Sequence, residues 1–178
     1  MKLTRTFAAA SLAALMLISC TMKENPLLQT SPHPFQAPAF DKIKTEHYKP
    51  AFIAAIEEAK AEIQLIVDNP EEPTFANTIE PLNTSGRTLN SVAGIFFNLN
   101  QACTNEEMQQ IAEEVAPMMT EYSMSIILNP VLFQKVKAVY EMKDDLGLNQ
   151  EEAKLLEESY KSFTRNGANL PDDKKEEY

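Results

Sequence analysis

Pairs of adjacent glutamates are the most numerous side chains in this sequence that could take part in chemistry. Carboxylate catalysis requires two acids in different environments, which neighbouring surface residues rarely provide. In an acidic, helix-forming chain such pairs are usually solvated, or lie favourably near helix N-termini. We therefore interpret the following pairs as surface charge: Glu57 and Glu58, Glu71 and Glu72, Glu106 and Glu107, Glu113 and Glu114, and Glu151 and Glu152.

Two cysteines and two histidines are the other possible nucleophiles or metal ligands. Cys103 has no histidine or lysine among its immediate neighbours, so we interpret it as a small, partly buried apolar residue. His33 and His47 are not spaced to share one helical face, which argues against a zinc pair. HExxH, CxxC, GxSxG, phosphate-loop and EF-hand patterns are all absent from the sequence. The residues alone therefore predict no catalytic and no metal-binding side chain.

The first twenty residues have the pattern of an export signal. Lys2 and Arg5 precede an apolar run, Phe7–Ile18, which is too short to span a bilayer as a helix. The residues Leu17, Ile18, Ser19 and Cys20 resemble the lipobox of bacterial lipoprotein precursors. This resemblance implies a signal peptide over 1–19, lipidation of Cys20, and a membrane-anchored lipoprotein of the periplasm or cell envelope. An ordinary cleaved signal with an incidental cysteine is the alternative.

The composition indicates one acidic, helical domain. The 178 residues are enough for one ordinary domain. Four glycines, no tryptophan and many helix-forming residues favour an all-α fold. The net charge of −10 repels phosphate backbones, which argues against nucleic acid as a partner.

A proline-rich stretch at 20–40 separates the export signal from the folded body. Its prolines favour an extended, polyproline-like chain that would serve as a tether from the membrane. We expect Phe35 and Phe40 to dock where the body begins, and we assign 41–178 to an N-terminal helical domain.

The pattern of apolar residues predicts about five antiparallel helices. The first begins near Thr45 and ends at Asn69 and Pro70, with a buried stripe of Phe52, Ile56, Ala59, Ile63 and Ile66. The second is predicted as one long amphipathic helix over 73–100, around which the other helices are arranged. Gly86 and Gly94 lie inside it, and we expect the close approach of a neighbouring helix to offset their cost.

Three further helices are predicted from their start signals. Thr104 and Glu107 have capping-box spacing, and the helix they open contains Pro117. Pro130 suits the first position of the fourth helix. Asn149 and Glu152 cap a fifth helix, for which Asn166 and Gly167 form the expected end. Residues 171–178 begin another helix without an apolar stripe, so we expect the natural polypeptide to continue.

Five short runs, in order along the chain, resemble the N-terminal part of the thimet-oligopeptidase-like zinc peptidases, of the bacterial peptidyl-dipeptidase and oligopeptidase A type. They cover almost all of the chain after Phe35. They are EHYKPAF (46–52), PTFANTIEPLNTSG (73–86), IFFNLNQACT (95–104), NPVLF (129–133) and FTRNGANLP (163–171).

The resemblance implies a helical two-lobe peptidase in which this chain forms part of one channel wall. In that family the zinc is held by two histidines of an HExxH helix and a downstream glutamate, and none of them has a counterpart here. We therefore expect zinc and the C-terminal catalytic domain to belong to the full-length protein, short peptides to be the substrates, and this chain alone to be inactive. The alternative is a stand-alone helical lipoprotein that acts as a binding module.

Overall fold

Helices are the only regular elements in the computed structural model, which describes residues 25–31 and 33–166. The all-α prediction is confirmed. Five helices have twelve or more residues: α1 (Tyr48–Asp68), α3 (Arg87–Ala102), α4 (Glu106–Ile127), α5 (Pro130–Glu141) and α6 (Gln150–Arg165). A π-helical turn (Phe75–Ile79) leads into the short α2 (Glu80–Thr84), and 3₁₀ turns lie at Pro26–Leu28, Pro34–Gln36 and Thr45–His47. None of the helices in this part of the chain is both long and apolar enough to cross a membrane.

The predicted starts of α5 and α6 are confirmed by their caps. Asn129 accepts a hydrogen bond from the Leu132 N–H at 2.9 Å, and Pro130 occupies the first turn. Asn149 accepts from the N–H groups of Glu151 and Glu152, while the Glu152 carboxylate accepts from the Asn149 N–H at 2.9 Å. These reciprocal bonds satisfy donors that a helix N-terminus otherwise leaves unpaired.

The predicted cap of the third long helix was wrong by one residue. Asn105, not Thr104, accepts from the Met108 N–H at 2.9 Å, and α4 begins at Glu106. The Thr104 hydroxyl instead donates to the Asn100 side chain at 2.8 Å. An asparagine caps at least as well as a threonine, so the choice between neighbours was decided by geometry that the sequence does not show. Pro117 lies inside α4 as predicted.

The single long helix predicted over 73–100 was also wrong. The chain is helical on both sides of Ser85 and Gly86, but Ser85 is extended (ψ 151°) and Gly86 has φ +69°. Glycine adopts this left-handed backbone without the steric penalty of a Cβ, so it breaks the helix here. At Gly94 the expected close approach was wrong too, because a Cβ there would meet no atom within 4 Å.

The described residues divide into two compact units. The first consists of 25–57 and 88–115. Its aromatic cluster is formed by α1 and α3: the Phe96 ring packs edge-on against Tyr48 and Phe52, with centroids 4.9 and 5.5 Å apart. The predicted stripe of α1 is confirmed, because all five of its residues are buried.

The second unit consists of 58–87 and 116–166. Its core combines the end of α1, the π-helical turn, α5 and α6. The rings of Phe133 and Phe163 pack at a tilt of 32°, with centroids 5.9 Å apart. The buried side chains of this core are Ile63, Ile66, Ile79, Leu132, Phe133, Val136, Val139, Leu156 and Phe163.

The stretch before α1 differs from the predicted extended tether. Pro26 and Pro34 each open a 3₁₀ turn, since a proline has the φ that a first helical position requires. The docking predicted for Phe35 and Phe40 was wrong: the relative exposures of these side chains are 103% and 56%. Leu27 is the apolar residue of this stretch that is buried instead, together with Ala39.

Candidate functional site

The histidines and cysteines do not form a site in the part of the chain that the structure describes. Cys103 is exposed, so its predicted partial burial was wrong. It directly follows the last residue of α3 and lies in the short connection to α4. This connection has no apolar stripe that would bury it. His33 is exposed, and His47 Nδ1 accepts from the Lys44 N–H at 3.1 Å. Across 25–31 and 33–166, no group of three or more His, Cys, Asp or Glu side chains is placed to hold a metal. Cys20 lies outside the described residues.

The glutamate pairs lie at the surface, as predicted. Most are exposed, and the half-buried Glu114 forms an ion pair with Lys49 at 2.7 Å. The hydrogen bond from Lys49 holds the pKa of the Glu114 carboxyl below its usual range. Glu152 is engaged in the cap of α6. Each of these two acids therefore has a structural partner.

One polar arrangement surrounds the helix break at Gly86. The Glu62 carboxylate accepts from the Gly86 N–H at 2.7 Å, and the Ser85 hydroxyl donates to the Leu82 carbonyl at 2.8 Å. The Tyr122 side chain reaches the same place, where burial raises the pKa of its hydroxyl. The negative charge of Glu62 raises this pKa further, while a hydrogen bond with Ser85 opposes the shift. These contacts fix the break, and they pair no nucleophile with a base.

A second polar network holds the turn between α1 and α2. The Asn77 side chain donates to the Glu72 carbonyl at 2.9 Å and accepts from the Thr74 N–H at 2.7 Å. Thr78, which is buried, donates its hydroxyl to the same Asn77 oxygen at 2.8 Å. Sequence reasoning missed this network, although the spacing of Thr74 and Asn77 is that of a capping box.

Lys135 on α5 adds a longer link within the second unit. Its ammonium group donates to the backbone carbonyl of Asn69 at 2.6 Å. Asn69 follows the last residue of α1, where carbonyls lack helical partners and a cation is favourable. The link therefore fixes the end of α1.

Two open grooves flank α2, and Pro81 and Thr84 line both. The first, of about 380 Å³, is lined by Glu62, Leu65, Ile66, Asn69, Asn77, Pro81, Thr84 and Ser85. The second, of about 780 Å³, is lined by Phe75, Ala76, Glu80, Pro81, Asn83, Thr84, Glu151, Glu152 and Leu155. Neither lining contains a histidine, cysteine or lysine. The grooves offer hydrogen-bonding and apolar surface, and the second also carries three glutamates, of which Glu152 is engaged in the cap of α6.

Comparison with known proteins gives a consistent result over most of the chain. The sequence profile described as "Neurolysin/Thimet oligopeptidase, N-terminal domain" matches residues 52–175. The dipeptidyl carboxypeptidase of Salmonella typhimurium is 39% identical over 154 residues, which are 86% of this chain and 23% of that protein. The Escherichia coli dipeptidyl carboxypeptidase is 40% identical over 146 residues, 82% of this chain and 21% of that protein.

More distant relatives match a similar share of the chain. Oligopeptidase A of Escherichia coli is 25% identical over 154 residues, 86% of this chain and 22% of that protein. The chain thus spans less than a quarter of the length of each of these relatives.

Proposed function

The chain belongs to the neurolysin and thimet oligopeptidase family, and from that premise we propose that it is the non-catalytic N-terminal lobe of an exported zinc metallopeptidase that hydrolyses short peptides. The observation that carries this proposal is the match to the family's N-terminal domain over 52–175. The similarity to proteins named dipeptidyl carboxypeptidase and oligopeptidase A supports peptides as the substrate class.

The role of these residues in the proposed enzyme is to shape a peptide's path rather than to cleave it. The polar networks at Gly86 and Asn77 include residues of the α2 segment and of the groove that Asn77 lines. A channel wall built from such helices would favour extended peptides, because a folded protein cannot follow a narrow channel. Dipeptide removal from the C-terminus is the action suggested by the two relatives of highest identity given above.

The residues present do not fit a zinc site. Zinc requires three or four ligands held tetrahedrally, usually His, Cys or carboxylate. The described residues assemble no such group, and no HExxH occurs in the sequence. Our proposal therefore assigns the metal and the reacting groups to a C-terminal catalytic domain of the full-length protein, and no chemical step to these helices.

Export and anchoring belong to the same proposal. Residues 1–19 would be the signal peptide, Cys20 the lipidated residue, and the helical domain would begin near residue 41. Two or more acyl chains anchor a protein stably, at about 0.8 kcal/mol per buried methylene. The lobe would then act at a membrane of the cell envelope.

Two measurements test the catalytic assignment. The purified chain should neither bind zinc in a chelator competition nor cleave a quenched fluorescent peptide. Nanomolar, stoichiometric zinc together with cleavage that chelation abolishes would contradict the proposal.

Reading the coding sequence beyond Tyr178 tests the relation to a longer enzyme. An open frame that contains an HExxH region supports the peptidase. A stop codon directly after Tyr178 would instead favour the alternative, a helical lipoprotein that binds a partner through its exposed grooves.

A further inference from the structure

The first residues that the structure describes are already part of the folded first unit. The Asn25 side chain is buried, donates to the His47 carbonyl at 2.8 Å and accepts from the Leu27 N–H at 3.0 Å. Leu27 is buried two residues later. The chain is therefore held to the folded unit at Asn25 and Leu27, within the tether predicted over 20–40.

Covalent geometry limits how far this unit can lie from a lipid on Cys20. Five residue steps separate Cys20 from Asn25, and even a fully extended chain advances no more than about 3.6 Å per residue. The Cα atoms of the two residues are thus at most about 18 Å apart. If Cys20 carries the lipid, as in the proposed function, the surface around Asn25 lies close to the lipid headgroups.

The same unit presents two aromatic side chains to solvent shortly after this point. Phe35 is fully exposed and Phe40 is more than half exposed. The turn that carries Phe35 is held by bonds from Gln36 N–H to the His33 carbonyl (3.0 Å) and from Ala37 N–H to the Pro34 carbonyl (3.2 Å). The turn is closed by the Ser31 hydroxyl, which donates to the Ala37 carbonyl.

The backbone of this turn adopts an uncommon conformation. Phe35 and Gln36 have φ of +58° and +57°, values that residues with a Cβ rarely adopt. Residues held in sparsely populated regions of backbone conformation cluster at functional sites. Phenylalanine is among the apolar residues that membrane-surface segments bury at the boundary between headgroups and acyl chains, because the ring leaves water there.

We propose that the turn carrying Phe35, together with Phe40, is a membrane-contact surface that rests on the same bilayer that holds the Cys20 lipid. The occupant is a phospholipid bilayer, because the short chain between Cys20 and Asn25 brings this unit to the headgroups. The inference rests on the lipidation in the proposed function. Its effect is to restrict the orientation of the first unit relative to the membrane.

These 178 residues contain no tryptophan, which allows a clean test with this chain. Phe35→Trp introduces one tryptophan at a fully exposed position, and Phe97→Trp is the matched control. The Phe97 ring packs against Phe52 and Phe96 in the same unit, so a tryptophan there reports the fold. Both proteins are isolated with their natural leader processed, checked by intact mass, and reconstituted in phosphatidylcholine vesicles with and without lipids brominated near the headgroup.

The proposal expects a shift of Trp emission to shorter wavelength and a loss of intensity with brominated lipid for Phe35→Trp, and neither change for Phe97→Trp. A lipid mass on Cys20 together with unshifted, unquenched emission from Phe35→Trp would overturn the membrane contact and leave lipidation standing. An intact mass without lipid would refute the anchoring in the proposed function and this inference with it.

Discussion

Replacing Gly86 with alanine should destabilise the second unit by about 1 kcal/mol. An alanine in left-handed backbone costs roughly 1–2 kcal/mol, and the reduced freedom of the unfolded chain offsets part of this, roughly 0.4–1 kcal/mol. Sterics add little, because the new Cβ would lie 3.4 Å from the Tyr122 Oη and 3.7 Å from the Ala59 Cβ. Those are ordinary contact distances, so the backbone at φ +69° determines the loss.

Gly94→Ala is the matched control, since it makes the same chemical change inside the regular part of α3. A Cβ there meets nothing within 4 Å, so the better helix propensity of alanine should stabilise the protein by up to about 1 kcal/mol. Urea unfolding followed by circular dichroism measures both: with an m-value of about 2 kcal/mol/M, the midpoints should move by roughly 0.5 M in opposite directions. Midpoints that move in the same direction would refute the assignment of Gly86 as a conformational break.

Three further predictions concern charged and titrating groups. Glu62→Gln should lower the free energy of unfolding, measured in urea, by about 1 kcal/mol. Glu62→Ala should lower it by more, because only the amide of Gln can still accept the hydrogen bond from the Gly86 N–H. Equal losses for the two variants would argue against that bond. The raised pKa of Tyr122 favours its neutral form in the fold, so stability is fully present below the ordinary pKa of 10.0 and is lost as the pH rises through the folded pKa. Thermal unfolding of Tyr122→Phe should depend less on pH in that alkaline range, and an unchanged profile would contradict this origin. The lowered pKa of Glu114 contributes stability that is present above 4.5 and lost as the pH falls through the folded pKa. Lys49→Met should reduce this acid dependence in pH-jump unfolding, whereas an identical acid limb would argue that the ion pair contributes nothing.

Local signals in the sequence identified most helices because the forces that start and stop helices act over a few residues. Asn129 and Asn149 were recognised as caps, and Pro70 as a stop, from residue type and spacing alone. The buried stripe of α1 was also predicted correctly, because apolar residues that recur with the 3.6-residue period of a helix lie on the side that packs into the core. The errors arose where two answers had similar local free energies, as between Thr104 and Asn105.

The helix break could not be predicted because glycine permits either backbone here, and the contacts around the break come from residues far away along the chain. Gly86 fits an amphipathic pattern as well as a break, and the deciding contacts come from Glu62 and Tyr122, which are distant in sequence. The docking predicted for Phe35 was wrong for a similar reason. An aromatic residue is usually expected to pack in a core, but the buried apolar side chains of this stretch are Leu27 and Ala39. The acidic surface pairs were predicted correctly because solvation of charge needs no long-range information.

The interleaved order of the two units has a consequence for synthesis. The first unit is complete once residue 115 is available, whereas the second begins at residue 58 and is closed only by α5 and α6. The second core therefore remains incomplete while the ribosome adds the tens of residues that separate Ile63, Ile66 and Ile79 from Leu132 and Phe163. At about 5–20 residues per second, this takes seconds. In this interval the nascent chain has not yet completed the core around these isoleucines, so part of their apolar surface remains in contact with water.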